Sequence, residues 1–217
     1  MSGQTTIKPN PNGTYLVTNC RLLKGMMSGK EYATEGTVVL CRCGGSQNKP
    51  YYDGTHKTNG FSGEKAADRA PDRRERHTGD GVTIHDNRGI FAHAGRCTDG
   101  LKAVFSLGEE SWINARAEPP QAIVETIEPC PSGALSYTTG DAEHRDRESD
   151  PMVVIVPNGL YAVKGSADCQ GADLGEGASR EHFTLCRCGQ SKNKPFCSGA
   201  HWYHQFDEHA PKPDAQP

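Results

Sequence analysis

The sequence predicts an α+β protein in which two small β-rich units enclose a third, α/β unit. One observation is an internal repeat: PNGTYLV begins at residue 11 and PNGLYAV at residue 157. Later in the copies come CRCGGSQNKPYYDGTH (41–56) and CRCGQSKNKPFCSGAH (186–201). A second observation is that the residues between the copies follow a different pattern. Repetition at this density predicts one structural unit present twice.

Each copy is predicted to contain two short strands. The Pro-Asn-Gly turn is followed by alternating apolar residues, Tyr15 and Val17 in the first copy and Tyr161 and Val163 in the second. A second strand then leads into the cysteine pair. Because one such unit buries little surface alone, we expect the copies to pack together about a pseudo-twofold axis.

The predicted domains are residues 1–63, 79–137 and 152–209. The charged stretches 64–78 and 138–151 hold few large apolar residues and are predicted to be linkers.

The central unit is predicted to hold a hairpin within GVTIHDNRGI, a helix near LKAVFSL and a second helix at PPQAIVETIEPC. The tail from His209 onward, which contains APKPDAQP, is predicted to be loose.

Composition excludes several classes of function. The formal net charge is −3, so no basic field is available for nucleic acid or an anionic membrane. Neither a long apolar run nor a secretory signal is evident, which predicts a cytoplasmic chain without membrane contact. No pattern suggests a substrate pocket with its own acid and base, so an enzyme is not expected.

The strongest candidate site lies in the second copy. Cys186 and Cys188 are two residues apart, which places both thiols on one face of an extended segment. Cys197 follows after a loop, and Ser198 is predicted to cap a helix that carries His201. A 2Fe-2S cluster needs two protein ligands on each iron, and imidazole can replace thiolate. The sequence therefore predicts one such cluster on these four ligands.

Structural zinc is the alternative cofactor, because three cysteines and one histidine also fill a tetrahedral site. Zinc sites usually have a longer gap within the first cysteine pair, so iron–sulfur is favoured. The remaining alternative is a set of buried, unligated side chains.

The segment CRCGQSKNKPFCSGAH resembles the CDGSH iron–sulfur signature, C-x-C-x2-S-x3-P-x-C-D-G-x-H, of mitoNEET-like proteins. Ser198 stands where that family has aspartate. The resemblance implies a redox-active, acid-labile 2Fe-2S cluster bound through Cys186, Cys188, Cys197 and His201. It also implies pairing of two units. Here the tandem copies would replace the partner of a homodimer, giving a monomer with an internal pseudo-dimer or a weak homodimer.

The first copy lacks one thiolate. Its ligand positions are Cys41, Cys43 and His56, but Tyr52 occupies the position of the third cysteine. A phenol with an ordinary pKa near 10 is a poor ligand at neutral pH. Whether this motif holds a second cluster is left open, the alternative being a degenerate copy kept for its strands.

The central unit is similar to divergent single-cluster ferredoxin domains through GIFAHAGRCTDGL and EPCPSGALSY. Cys97 and Cys130 remain as a possible remnant of a third site, whereas Phe91 occupies another cysteine position of that family. Two thiolates do not make a 4Fe-4S site, so none is expected. An alternative role for this unit is a docking surface at Trp112, Ile113 and the PSGAL turn, although packing of Trp112 in the core is the simpler interpretation.

The sequence thus predicts an iron–sulfur protein that acts in electron transfer or redox and pH sensing with an unidentified redox partner. A structural zinc scaffold is the alternative. An enzyme with a Cys97 nucleophile beside His93 is a third hypothesis. Cys20 and Cys169 are predicted to be small buried apolar residues.

Overall fold

The computed structural model describes residues 3–109 and 111–210. The tail predicted to be loose falls largely on residues 211–217, outside the described residues. In chain order the strands are β1 (Thr6–Pro9), β2 (Tyr15–Cys20), β3 (Leu23–Gly25), β4 (Glu31–Tyr32), β5 (Gly36–Leu40), β6 (Arg74–Thr78), β7 (Thr83–Asn87), β8 (Leu135–Thr139), β9 (Ala142–His144), β10 (Met152–Ile155), β11 (Tyr161–Lys164), β12 (Asp168–Cys169) and β13 (His182–Leu185). The helices are α1 (Arg96–Gly100), α2 (Pro120–Ile127) and α3 (Ala200–Tyr203), with single 3-10 turns at Thr55–Lys57 and Arg88–Ile90.

Of the three sheets formed by the described residues, two contain strands from both copies of the repeat. The first sheet has the order β12-β1-β2-β5, and the second has the order β13-β11-β10-β3-β4. Strand β12 of the second copy lies parallel to β1, and β3 of the first copy lies parallel to β10. Each copy therefore contributes backbone hydrogen bonds that complete the other copy's sheet.

One hydrophobic core lies between these two sheets. The rings of Tyr15 and Tyr161 meet edge to face at its centre, with their centroids 6.2 Å apart. Cys20 and Cys169 are buried in the same core, as predicted. Its buried residues are Ile7, Tyr15, Val17, Cys20, Leu23, Val38, Leu40, Val153, Ile155, Tyr161, Val163, Ala167, Cys169, Phe183, Leu185 and Phe196.

The hydroxyl groups of the two core tyrosines cross from one copy to the other. The Tyr15 hydroxyl oxygen lies 2.9 Å from the carbonyl oxygen of Cys186 and 2.7 Å from that of Pro195. The Tyr161 hydroxyl oxygen lies 3.0 Å from the carbonyl oxygen of Cys41 and 3.1 Å from that of Pro50. Each tyrosine thus donates a hydrogen bond to the backbone of the other copy's cysteine loop, which is residues 41–56 in the first copy and 186–201 in the second.

The central unit is a four-stranded antiparallel sheet, β6-β7-β8-β9, with α1 and α2 packed beside it. Helix α2 was predicted from PPQAIVETIEPC and is confirmed. Its Pro120 occupies a first-turn position, where the missing N–H has no intrahelical partner, and Ile123 and Ile127 face the core four residues apart. The mixture of sheets and short helices agrees with the predicted α+β class.

Two local predictions for this unit are wrong. Residues 101–107 form turns rather than a helix, and the nearby helix, α1, comes earlier and ends at Gly100. Phe105 instead forms a β-bridge with Ile113, which holds the backbone in an extended form. The hairpin turn comprises residues 79–82 and overlaps only the start of GVTIHDNRGI, with the Gly79 N–H bonded to the Val82 C=O. The residues after β7 form a 3-10 turn instead.

The charged stretches predicted to be linkers contain strands. Strand β6 lies in the first stretch and β9 in the second, and both are edge strands of the central sheet. Edge strands are exposed on more than one side and tolerate charged side chains, so their amino-acid composition is similar to that of a linker.

The residues of the central unit that were considered as a docking surface are buried. Trp112 and Ile113 are buried in the unit's core, and the Trp112 indole N–H donates to Asp86 at 2.9 Å. Ser132 and Ala134 of the PSGAL turn are buried as well. Among the described residues, no helix has the length and apolarity required to cross a bilayer.

The crossed tyrosine hydrogen bonds give a prediction for stability. We expect Tyr15→Phe and Tyr161→Phe each to lower the free energy of unfolding by about 1–2 kcal/mol, because each leaves buried carbonyl groups short of a donor. Urea unfolding measures this change. Tyr203→Phe is the control, since Tyr203 is exposed and its substitution should change nothing. Unchanged midpoints for both core variants would contradict the prediction.

Candidate metal centre

The cysteine loop of the second copy is closed by strand-like pairing. Leu185 and Phe196 form an antiparallel bridge. The Cys186 N–H donates to Pro195 C=O at 2.9 Å, and the Cys197 N–H donates to Thr184 C=O at 3.0 Å. This pairing returns the chain to the end of β13, so that Cys197 lies next to the first cysteine pair.

Gly199 brings His201 back to the cluster of thiols. Gly199 has a φ of 75°, and α3 begins at the next residue. A left-handed conformation of this kind favours glycine. His201 Nδ1 lies 3.5 Å from Cys197 Sγ. His201 therefore lies in the first turn of a helix, as predicted.

Ser198 does not cap this helix, which corrects the prediction. No side chain caps α3, because Gly199 separates Ser198 from the first turn. The Ser198 hydroxyl instead accepts from the Lys192 N–H at 3.2 Å. Asp53 has the same role in the first copy, where its carboxylate accepts from the Gln47 N–H at 2.8 Å.

The four side chains form two pairs. Cys186 Sγ and Cys188 Sγ are 3.8 Å apart. Two thiolates on one tetrahedral metal are also about 3.8 Å apart when each metal–sulfur distance is about 2.3 Å. The second pair is Cys197 and His201, at 3.5 Å. A metal bonded to one sulfur at about 2.3 Å and one nitrogen at about 2.0 Å requires a separation of about 3.5 Å.

The pairs do not converge on a common point. In the part of the chain that the structure describes, no group of three or more His, Cys, Asp or Glu side chains is arranged around a single metal ion. Each pair by itself has the spacing of two ligands on one metal.

One thiol and the imidazole of this site are shifted toward the protonation states that bind metals, whereas the other two thiols are not. The hydrogen bond from Cys188 lowers the pKa of Cys186 to about 6, while the pKa of Cys188 is raised by the same bond. Burial raises the pKa of Cys197. Burial also lowers the pKa of His201 to about 4, so the imidazole is neutral at physiological pH. A neutral imidazole and a thiolate are the forms that bind metals.

Backbone N–H groups donate to two of the sulfur atoms, and a buried arginine lies between the paired cysteines in the chain. The Gln190 N–H donates to Cys188 Sγ at 3.5 Å, and the Gly199 N–H donates to Cys197 Sγ at 3.4 Å. Arg187, between the paired cysteines, is 1% exposed and forms an ion pair with Glu208. Its guanidinium also lies over the Tyr161 ring, 5.7 Å from the centroid. The backbone N–H groups stabilise negative charge on the sulfurs, whereas the Arg187 guanidinium contacts Glu208 and Tyr161.

The first copy retains part of this geometry. Cys41 Sγ and Cys43 Sγ are 3.8 Å apart, and the hydrogen bond from Cys41 lowers the pKa of Cys43 to about 6. The Tyr52 and His56 ring centroids are 5.2 Å apart. His56 Nδ1 is buried without a hydrogen-bond partner. The residues present therefore fit one metal-binding pair and an available imidazole, with a phenol in place of the third thiolate.

The cysteine loops of the two copies lie against each other. Cys43 and Cys188 form an antiparallel bridge. A Cβ atom on Gly44 would come within 2.5 Å of the Cys188 carbonyl oxygen, and one on Gly189 would come within 2.4 Å of the Cys43 carbonyl oxygen. A residue with a side chain would not fit at either position, because the two backbones lie too close together.

The central unit covers the second cysteine site. Asn193 donates to the Gly89 carbonyl oxygen at 2.7 Å, and the Trp202 indole N–H donates to the His93 carbonyl oxygen at 2.6 Å. The His93 ring packs on Gly199, where a Cβ atom would lie 2.2 Å from His93 Cδ2. Sequence reasoning missed this contact, although the positive φ of His93, 48°, marks an unusual backbone.

The remaining cysteines of the central unit do not fit a 4Fe-4S cluster. Cys97 and Cys130 line one small cavity together with His93 and Phe91. Two thiolates are too few for such a cluster. Burial raises the pKa of Cys97 to about 11, which is the opposite of the shift that activates a nucleophilic thiol.

These features define a metal-binding protein with a thiolate-rich centre. Residues 12–57 and 150–202 match the family described as iron-binding zinc finger, CDGSH type. Residues 77–140 match the domain described as a divergent 4Fe-4S mono-cluster.

Two similar proteins are the uncharacterized protein YjdI of Escherichia coli strain K12 and that of strain O157:H7. Each is 34% identical over 61 residues, which is 28% of this chain and 80% of YjdI. No solved structure matches the chain. The chain belongs to the CDGSH-type iron-binding family, with a divergent 4Fe-4S mono-cluster domain between its two CDGSH regions.

The contact of His93 with Gly199 gives a prediction with an internal control. Gly54 is the equivalent glycine of the first copy, and a Cβ there meets only the Tyr52 hydroxyl, at 3.7 Å. Gly54→Ala should cost about 1–2 kcal/mol, from its left-handed backbone alone. Gly199→Ala should cost about 2 kcal/mol more in urea unfolding, because the methyl group overlaps His93.

His93→Gly should restore part of this loss in the Gly199→Ala background, because it removes the overlapping ring. Equal losses of unfolding free energy for the two alanine variants, or no recovery in the double variant, would show that His93 does not pack tightly against Gly199.

Proposed function

We propose that this protein holds one 2Fe-2S cluster on Cys186, Cys188, Cys197 and His201 and acts in electron transfer or redox sensing. The observation that carries the proposal is the division of these side chains into two pairs, each with the spacing of two ligands on one tetrahedral metal. Three thiolates and one imidazole supply two ligands for each iron.

The cluster would supply a one-electron redox centre, and the chain supplies its surroundings. Cys186, Cys197 and His201 are at least nine-tenths buried, which limits access of water. The backbone N–H groups of Gln190 and Gly199 offset negative charge on the sulfurs. Imidazole ligation raises the reduction potential above that of all-thiolate clusters, for which about −400 mV is typical.

A structural zinc scaffold remains the second candidate, because zinc also binds three thiolates and an imidazole. The two-pair geometry favours a cluster, since a single zinc ion needs all four donors around one point. We also propose an electron carrier rather than an enzyme, located in the cytoplasm and acting with a redox partner protein.

We further propose that the two copies form an internal pseudo-dimer about a pseudo-twofold axis, with a ferredoxin-like unit inserted between them. Support comes from the reciprocal contacts: β12 beside β1 and β3 beside β10, and the two tyrosines that each bond to the opposite loop. A chain that pairs internally needs no second copy and is expected to be monomeric.

Metal content tests the proposal directly. Freshly purified protein should be coloured and contain about two irons and two sulfides per chain, and Cys197→Ser should lose most of both. Cys97→Ser is the matched control, because Cys97 is buried outside the site and should leave the iron content unchanged. Colourless protein with one zinc per chain would contradict the proposal.

A substitution in the first copy tests whether Tyr52 limits that site. Tyr52→Cys restores the missing thiolate and should raise the content to about four irons per chain. Leu107→Cys, which introduces a cysteine at an exposed position of the central unit, is the control and should not raise the iron content. Four irons in the unaltered protein would show that the first copy binds a cluster without the change.

The low pKa of His201 sets the expected acid sensitivity. Protonation of the imidazole competes with the metal, and burial lowers its pKa to about 4. Loss of visible absorbance should therefore stay slow from about pH 8 to pH 6 and accelerate as the pH falls toward 4. His201→Cys should remove this acceleration, and His204→Ala, an exposed control, should not. Equally fast loss at all pH values would contradict the role of His201.

A further inference from the structure

A cavity of 220 Å³ lies between the second copy and the central unit. The central unit contributes Arg96 and Cys130, and the second copy contributes Lys164 and His182. Arg147 and Ser149, which precede β10, close a further side. None of the cysteine-loop ligands of either copy lines it.

The charged side chains that line this cavity all carry positive charge at neutral pH. They are Arg96, Arg147 and Lys164, and no Asp or Glu is among the lining residues. The nearby Asp146 is engaged elsewhere: it accepts from the Ser179 hydroxyl at 2.9 Å and the Arg180 N–H at 2.8 Å. Arg145 also forms an ion pair with it.

This grouping of cations is unfavourable by itself. Lys164 is only partly exposed, and its pKa is lowered, first by burial and then by the charges of Arg147 and Arg96. Like charges this close repel each other, and partial burial weakens the screening by water. A chain with a net charge of −3 has ample carboxylates, yet among the residues that the structure describes none lines the cavity beside these three groups.

The chemistry of the lining fits an oxyanion. Arginine presents a planar fork that binds phosphate through two parallel hydrogen bonds, and lysine adds a point charge. The volume corresponds to about seven waters at about 30 Å³ each, which leaves space for a phosphate and a further small group. The Ser149 and Cys130 side chains and the apolar Val154 and Ala162 would face the rest of a ligand.

We propose that this cavity binds a small polyanion that carries phosphate, as free pyrophosphate or as a phosphate ester. A bound ligand would join the central unit, through Arg96, to the second copy, through Lys164. The proposal does not rest on the cluster, because no cluster ligand lines the cavity.

Isothermal titration of the full chain with pyrophosphate at constant ionic strength tests the proposal. We expect one saturable site per chain, and at least about tenfold weaker binding in Arg96→Gln, Arg147→Gln and Lys164→Gln. Lys102→Gln is the control, because Lys102 is an exposed lysine of the central unit outside the cavity. This variant should bind pyrophosphate as tightly as the unaltered protein does. A sugar phosphate titrated in parallel distinguishes the two sources of the phosphate group.

Thermal unfolding gives an independent test, because Lys164→Gln should shift the unfolding midpoint in opposite directions with and without pyrophosphate. Without pyrophosphate, Lys164→Gln should raise the midpoint, since it removes repulsion between like charges. With pyrophosphate in excess, the same substitution should lower the midpoint relative to the unaltered protein. The variant binds the ligand more weakly and therefore gains less stabilisation from it. A residue with a purely structural role would shift both midpoints in the same direction.

The proposal would be overturned by titrations without saturable heat. It would also fail if Lys102→Gln weakened binding as much as the cavity variants, or if Lys164→Gln lowered both midpoints. Tighter binding of inorganic phosphate than of pyrophosphate would contradict the polyanion and show that the cavity binds a single phosphate group.

Discussion

The two cysteine loops lie back to back, and most of the architecture follows from that contact. Cys43 and Cys188 pair through their backbones, and Gly44 and Gly189 leave no room for a side chain between them. With the loops fixed at this distance, Tyr15 and the equivalent tyrosine of the other copy reach across the core to the opposite loop. The exchange of edge strands between the sheets then buries one common core rather than two separate ones.

This shared core separates the roles of the two copies. The first copy can lose its third thiolate without loss of the fold, because its strands are still needed to complete the sheets and the core. The second copy keeps both ligand pairs and is also covered by the loop of the central unit that carries His93. The central unit shields this site, and we propose that it also forms one wall of the anion site.

The sequence predicted the parts that depend on local spacing. The repeat, the CDGSH regions, the burial of Cys20 and helix α2 all follow from patterns within short windows. Strand β6 was missed because an exposed edge strand can be as charged as a linker. The packing of His93 on Gly199 and the grouping of three cations around one cavity could not be predicted, because both join segments far apart in the chain and depend on how the units dock.

The central claim is a two-metal centre in which one metal is bonded to His201. Pulsed electron paramagnetic resonance of the reduced protein, with ¹⁵N-labelled histidine, tests it most directly. The account predicts one paramagnetic centre per chain with a strong coupling to a single histidine nitrogen, and loss of that coupling in His201→Cys. A reduced protein without a paramagnetic centre, or a centre without histidine coupling, would contradict it.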